Sequence, residues 1–409
     1  MVNINPNSRF EEFDVKWTVS EAASLFTIES DKGHPELPVL SASQEFGMIK
    51  RDNIGINMQY SKQNVASYKH VLPGRFVIHL RSFQGGFAHS AIEGITSPAY
   101  TVLSLKEPRK HDDYFWKYLF TSPEFIKRLE IVTYGIRDGR SISVDDFFEL
   151  PFCYPSSPEE QHKIAKFFYR LDSLIKAEGK KLEKLKNIKS ASLEKMFPKQ
   201  GETVPQIRFK GFSGEWEKRK LSDYLKNYIE KNEKDQYTKY DIFSVSNECG
   251  VIKQIKYQGK SLAGASLKGY KVTHVNNVIY TKSPLKNQPY GIIKTNKDCS
   301  GIVSTLYAVY TVRDGVSPDF IEVYFSLDNR LNDYLRPIVN KGAKNTLLVS
   351  DEDAISGLVI FPSDVKEQNC IANYFSRLDS LISAQVQKVE KLRSLKKSFL
   401  EKMFVSNPK

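Results

Sequence analysis

A few short stretches hold residues whose types and spacing could do chemistry. Gly259-Lys260-Ser261 ends like a phosphate-binding loop, in which backbone N–H groups and a lysine cradle a nucleotide, but the earlier glycine that such a loop requires is Gln254. Pro318-Asp319 followed by Glu322 has the opening of a nuclease metal site, yet no Glu-x-Lys follows. Phe209-x-Gly211-x-x-Gly214 has the wrong spacing for a methyl-donor loop, and no Asn-Pro-Pro-Tyr or Asp-Pro-Pro-Tyr sequence accompanies it. Neither His-Glu-x-x-His nor Gly-x-Ser-x-Gly occurs. The seven histidines are dispersed and read as surface or core-edge residues. Cys153, Cys249, Cys299 and Cys370 lie far apart and never form Cys-x-x-Cys, so they read as buried or half-buried thiols rather than metal ligands or disulfides. The expectation is a chain with no catalytic residues and no metal ligands, whose work is binding.

Composition suits that reading. At 409 residues, 40% hydrophobic and 26% charged, the chain can bury two or three cores. It has no run of eighteen apolar residues and no signal-like start, so a cytoplasmic protein is expected. The net charge of +12 favours an anionic partner, most commonly nucleic acid.

The elements that position any binding residues are written twice. Arg-Leu-Asp-Ser-Leu-Ile runs from Arg170 to Ile175 and again from Arg377 to Ile382, 207 positions on. The match extends without a gap from Glu160–Phe197 to Glu367–Phe404, where 22 of 38 positions are identical, and both copies close on Leu-Glu-Lys-Met-Phe. Upstream, Gly94-Ile95-x-Ser97 matches Gly301-Ile302-x-Ser304, and Val39-Leu40-Ser41 matches Ile242-Phe243-Ser244. Arg9-Phe10-x-x-Phe13-x-x-x-Trp17 matches Arg208-Phe209-x-x-Phe212-x-x-x-Trp216. The whole chain is therefore a tandem duplication, and the second copy gains about five residues between Ile279 and Gly301.

Each copy reads as a β-rich α+β front part followed by one long helix. The strands are expected in PVLSAS, RFVIHL and AYTVLSL, then in DIFSVS, NVIYTK and STLYAVYTV, with a short helix over Tyr114–Leu129 and its counterpart over Pro318–Leu335. In the tails Ile164, Phe168, Leu171, Ile175, Leu182, Leu185 and Met196 keep a heptad rhythm. Ile371, Phe375, Leu378, Ile382, Val389, Leu392, Phe399 and Met403 repeat it. Glu178 and Gln385, then Lys189 and Lys396, interrupt the two seams at equivalent points and can fix register. Two matching stripes suit each other, so an antiparallel two-helix coiled coil and a pseudo-twofold molecule are expected. The boundaries read as 1–155 and 208–363 for the two front domains, 156–198 and 364–409 for the helices, and 199–207 for a linker.

These residues resemble a known family. Two Arg-Phe-x-x-Phe-x-x-x-Trp starts, two Gly-Ile strands, two Glu-Gln-x-x-Ile-Ala-x-x-Phe-x-Arg-Leu-Asp helices and a central Leu193–Lys199 to Val204–Phe212 connection resemble the DNA specificity (S) subunit of type I restriction–modification systems. The resemblance covers nearly the whole chain; the first start, NSRFEEF, is less complete than VPQIRFKGF. It implies two target-recognition domains, each reading one half of a bipartite, interrupted DNA site, with the coiled coil setting the half-site spacing. It also implies two methyltransferase (M) subunits that bind S-adenosylmethionine and methylate adenine, and restriction (R) subunits that use ATP and Mg. No cofactor is implied in this chain. A coiled-coil scaffold, or a nuclease or methyltransferase with an unrecognised active site, stays open as an alternative.

Residues suited to phosphates and base edges, interleaved with aromatics, are expected to touch DNA. In the first copy these are Lys50, Arg51, Asn57, Gln59, Lys62, Tyr68, Lys69, Arg81, Gln84, Arg137 and Arg140. In the second they are Lys253, Lys256, Tyr257, Lys260, Lys268, Tyr270, Lys271, Lys282, Lys286, Asn287, Lys344 and Asn345. Arg137 and Lys344 occupy the same point of the repeat. Arg170, Asp172, Arg377 and Asp379 are read as outward residues that dock the two methyltransferase subunits.

Overall fold

The computed structural model describes residues 6–43, 46–54, 62–79, 86–129, 133–134, 141–261, 264, 266–285, 288–341 and 347–405. The chain divides into two compact units, Met1–Lys180 with Val386–Lys409, and Lys181–Gln385. The division cuts across the boundaries read from sequence, because it falls inside both long helices, Pro158–Lys195 and Val365–Met403.

Unit 1 is built on a four-stranded antiparallel sheet in the order Phe26–Glu29, Thr101–Leu105, Phe76–Ile78, Phe87–His89. Unit 2 repeats it as Leu225–Asn227, Tyr307–Val312, Val278–Thr281, Ile293–Thr295. The central strands are apolar without alternation because both faces are covered. Phe76 and Ile78 enter the aromatic core while Val77 enters a second cluster; Val278 and Tyr280 flank Ile279 in the same way. Smaller antiparallel pairs also recur. Leu40–Ser43 with Gly47–Lys50 corresponds to Phe243–Ser246 with Gly250–Lys253. Lys69–Val71 with Gly94–Thr96 corresponds to Lys271–Thr273 with Gly301–Val303. The repeated glycine has a steric cause: a Cβ on Gly94 would lie 2.5 Å from the Pro38 carbonyl oxygen, and one on Gly301 would lie 2.4 Å from that of Asp241.

The expected helix over Tyr114–Leu129 is instead two, Asp113–Phe120 and Pro123–Leu129. Pro123 offers no N–H to continue the first, and the Ser122 hydroxyl accepts the Phe125 N–H at 3.3 Å to begin the second. Its counterpart breaks likewise into Pro318–Tyr324 and Asp328–Leu335. Among the cysteines only Cys153 is buried, where burial pushes its thiol up to about 12. Cys249, Cys299 and Cys370 are exposed, against expectation.

The Glu-Gln that opens each long helix is buried and pins the domain ends together. Glu160 takes a bidentate pair from Arg9, both contacts at 2.7 Å, and the Trp17 indole N–H at 3.1 Å. Glu367 takes the same bidentate pair from Arg208. Gln161 accepts the Asp112 N–H at 3.0 Å and donates to the Pro155 carbonyl at 2.8 Å. Gln368 does so with Ser317 N–H and the Pro362 carbonyl, both at 2.8 Å.

The Leu-Glu-Lys-Met-Phe closures are core plugs. Leu193, Met196 and Phe197 join Trp216, Phe320 and Phe375 in unit 2. Leu400, Met403 and Phe404 join Trp17, Phe115 and Phe168 in unit 1, and the Ser8 N–H donates to the Lys402 carbonyl at 2.9 Å. Each plug thus completes a core whose other residues come from the opposite copy of the repeat.

Within each unit the two long helices run antiparallel. In unit 1 Asp172 meets Lys396 at 2.5 Å and Glu178 meets Lys388 at 2.6 Å, so one residue number rises as the other falls. In unit 2 Lys189 meets Asp379 at 2.5 Å and Ser192 meets the Tyr374 hydroxyl at 2.9 Å. The seam residues Ile164, Phe168, Leu171, Ile371, Phe375, Leu378 and Val389 are buried, whereas Ile175, Leu182, Leu185, Ile382 and Leu392 are half-buried, as a pair of helices with open flanks requires.

Phe404 stacks on Phe168 at 5.8 Å and lies 5.5 Å from Phe115. Phe404→Ala should destabilise unit 1 by about 3–5 kcal/mol, the usual cost of deleting a buried phenyl ring. Hydrogen exchange resolved by peptide checks this: the Thr101–Leu105 strand should exchange faster and the Tyr307–Val312 strand should not change.

Candidate nucleic-acid interface

The residues expected to touch DNA separate into distinct environments. Lys50 is exposed at the end of the Gly47–Lys50 strand, and Lys256, Tyr257 and Lys260 are exposed on and just after the short helix Gln254–Gln258. These two places are equivalent: the Arg51 N–H donates to the Val39 carbonyl at 2.9 Å, as the Gln254 N–H does to that of Ile242 at 2.8 Å. From there copy 1 makes the 3-10 turn Arg51–Ile54 and copy 2 the helix, closed by Gly259 at φ +73°. One frame therefore presents two different sets of side chains. Lys62 lies in the 3-10 segment Lys62–Ser67.

Other candidates already have partners within the fold. Tyr68 and Tyr270 are half-buried packing residues, on Val39, Val65 and Ile95 and on Ile242, Val272 and Ile302. The Lys69 ammonium donates to the Tyr100 carbonyl at 2.6 Å, and burial lowers its pKa. Arg51 donates to the Ser41 hydroxyl at 3.2 Å. Lys253 pairs with Asp241 at 3.1 Å, and the exposed Lys268 sits 3.6 Å from Asp235. Lys271 and Lys282 share Asp351, with Lys282 at 2.6 Å, and Lys282 also donates to the Val349 carbonyl at 2.7 Å. Asn57, Gln59, Arg81, Gln84, Arg137, Arg140, Lys286, Asn287, Lys344 and Asn345 lie outside the described residues.

The extra residues of copy 2 fall mainly in one hairpin. Val77 pairs with Ala88 in unit 1 and Ile279 with Lys294 in unit 2, so the second hairpin is four residues longer. The candidates Arg81, Gln84, Lys286 and Asn287 belong to these connections by sequence.

Sequence reasoning missed a basic cleft of about 360 Å³ in unit 1. Lys117, Arg393, Lys396 and Lys397 line it together with Ser43, Gly47, His89 and Asp172. Gly47 is required there, since it holds φ +73° and a Cβ would lie 2.3 Å from the His89 carbonyl oxygen. No sequence signal marks this cleft, because it forms only once the second long helix lies against the first domain. The acidic pair with a nuclease-like spacing has a plain role: Asp319 and Glu322 each meet Lys297 at 3.1 Å, and Glu322 also meets Lys294 at 3.5 Å.

Two like α+β units with different exposed side chains on one frame, each completed by a helix from the other copy, define a protein built by internal duplication. A family model for the type I restriction modification DNA specificity domain matches residues 14–187. No curated protein matches the chain in sequence. The S subunit of a type I restriction-modification system from M. genitalium shares the fold at 14% identity and TM-score 0.60, over 98% of this chain and 99% of that one. A structure described under complex assembly and conformational transition of the type I R-M system matches at 14% identity and TM-score 0.51, over 95% of this chain and 97% of that one. The first copy carries the match to that domain, and the second repeats its motifs and contacts.

Asp351 offers a pH test of the scaffold. Burial alone would raise its pKa, but hydrogen bonds from Lys271 and Lys282 hold it below the ordinary 3.8. A carboxylate depressed on folding stabilises fully above its unfolded value and loses that contribution as pH falls through the lower folded value. Asp351→Ala should therefore cost roughly 2 kcal/mol at neutral pH, between the values for exposed and buried pairs. Urea unfolding should show that deficit unchanged from pH 8 to 5 and shrinking only below about pH 4; a deficit that disappears at pH 6 would refute the assignment.

Proposed function

We propose that this chain is a DNA specificity subunit of the type I restriction–modification class, non-catalytic itself, that reads a bipartite, interrupted DNA target, one half-site per unit, and that the paired helices fix the separation of the half-sites. The observation that carries this reading is one scaffold built twice in one chain, with the differences gathered at Arg51–Ile54 against Gln254–Gln258 and in the unequal hairpins. Duplication frees each half to diverge while the frame stays common, so the two half-sites need not be alike. The subunit directs adenine methylation by two M subunits carrying S-adenosylmethionine and restriction by R subunits using ATP and Mg, in the cytoplasm. Among the described residues no helix is long and apolar enough to cross a membrane.

Lys256 and Lys260 are assigned to phosphates and Tyr257 to the adjoining groove surface. Replacing both lysines by alanine should weaken binding and reduce the slope of log K against log salt by about 2, one for each phosphate left without its lysine. An unchanged slope in a fluorescence-anisotropy titration would remove this helix from the interface. Methylome sequencing of cells expressing the chain with its methyltransferase partner tests the main claim. A bipartite adenine motif is expected; a single contiguous motif would sink it.

The docking face for M subunits needs revision. Asp172 and Asp379 are committed to Lys396 and Lys189, so the repeated acids hold the helices together rather than facing a partner. Arg170 and Arg377 remain exposed. So do Leu174 with its repeat Leu381, and Ile188 with its repeat Leu395. Residues 174 and 188 are two heptads apart and share one helix face. The ion pairs put Leu174 level with Leu395 in unit 1 and Ile188 level with Leu381 in unit 2, which gives each unit an equivalent apolar spot for one M subunit. Leu174→Asp should remove one M subunit from the complex and Leu174→Asp with Leu381→Asp both, read as mass by light scattering. Intact two-M complexes would discard this face.

A further inference from the structure

Three side chains in unit 1 turn their donor atoms toward one point. Asp31 follows the Phe26–Glu29 strand, His34 is three residues on, and His70 lies on the Lys69–Val71 strand. Asp31 Oδ2 is 2.9 Å from His34 Nε2 and 2.9 Å from His70 Nδ1, and the three donors all lie within 4.8 Å of one another. Tetrahedral zinc with bonds near 2.0 Å places its ligand atoms about 3.3 Å apart, so each Asp31–imidazole contact has to open by only about 0.4 Å to admit the ion.

The backbone beneath is fixed. The His70 N–H donates to the Asp31 carbonyl at 2.8 Å, and Lys32 and Lys69 form an antiparallel bridge beside it. One outer nitrogen is within hydrogen-bond reach of a carboxylate, and the other lies just beyond it. His70 Nε2 is 2.9 Å from Glu93 Oε1, and His34 Nδ1 is 3.7 Å from Glu36 Oε1. A carboxylate on the far nitrogen is how metal-bound imidazoles are oriented and made more basic.

The two rings lie 4.3 Å apart, and each turns one nitrogen to the same Asp31 carboxylate. We propose that Asp31, His34 and His70 form a binding site for a borderline divalent transition metal, zinc being the best match to the N₂O donor set. Glu93 is a positioning residue, and the exposed side of Asp31 leaves the fourth position to water. The metal ties the segment after Phe26–Glu29 to the Lys69–Val71 and Gly94–Thr96 strands.

Unit 2 supplies a built-in control. There the Val272 N–H donates to the Glu230 carbonyl at 2.9 Å beside a Lys231–Lys271 bridge, so the same frame carries valine where unit 1 carries His70. The chain should therefore take up one metal, not two.

The test is titration of the chelator-stripped full-length chain with zinc chloride by calorimetry, alongside His34→Asn/His70→Asn, Glu93→Gln and His162→Asn variants. The wild type and His162→Asn should bind one equivalent more than the double variant. Glu93→Gln should keep that equivalent with affinity lowered about tenfold. Cobalt(II) added to the wild type should give the intense visible bands of a tetrahedral site, a readout that does not depend on any variant folding. Equal zinc uptake by wild type and double variant, or no tetrahedral cobalt spectrum, would overturn the proposal.

Discussion

A glutamate buried at the first turn of each long helix sets the terms for the rest of this protein. Such a charge is tolerable only with a cation brought to it, and breaking the pair would cost about 3–5 kcal/mol. Arg9 and Arg208 meet that demand with two parallel hydrogen bonds each, and in doing so they carry the start of each copy to the place where its helix leaves. The neighbouring Gln161 and Gln368 tie the loop before each domain helix to the same turn. The direction of each long helix relative to its own sheet is thereby fixed.

The far ends are held by apolar plugs instead. Phe197 and Phe404 each sit among aromatic side chains from the opposite copy. Neither front part owns a complete core, so folding of the halves is interlocked: each needs the last turn of the other's helix. This is a reason for the division into units to cut through the helices, and it accounts for Leu-Glu-Lys-Met-Phe being kept in both copies.

The duplicated Arg-Leu-Asp-Ser-Leu-Ile takes its sense from the same geometry. Leu171 and Leu378 are seam residues, while Asp172 and Asp379 reach the lysines that interrupt the opposing stripe. Partly exposed pairs of this kind add little stability, on the order of 0.5 kcal/mol each. Their value is register, since a helix slipped by a turn would part Lys189 and Lys396 from their aspartates. The hairpin lengths and the Arg51 and Gln254 segments can then differ between the copies without disturbing the frame.

The sequence by itself determined the duplication, the strands around Val77 and Ile279, the heptad seam and the family likeness, because each is a local periodicity or a long literal repeat. The breaks before Pro123 and Asp328 were less legible: one rests on a single proline, and the other has no capping side chain to mark it. The tertiary structure alone decided which charges are available. Lys271 and Lys282 read as unpaired cations in the sequence, but both meet Asp351, 80 and 69 positions away. Asp172 looked outward until Lys396 was placed beside it, and Asp31, His34 and His70 looked dispersed until two strands brought them together. In each case the deciding partner is distant in the chain, and only strand register and the antiparallel helix register bring it within a few ångströms.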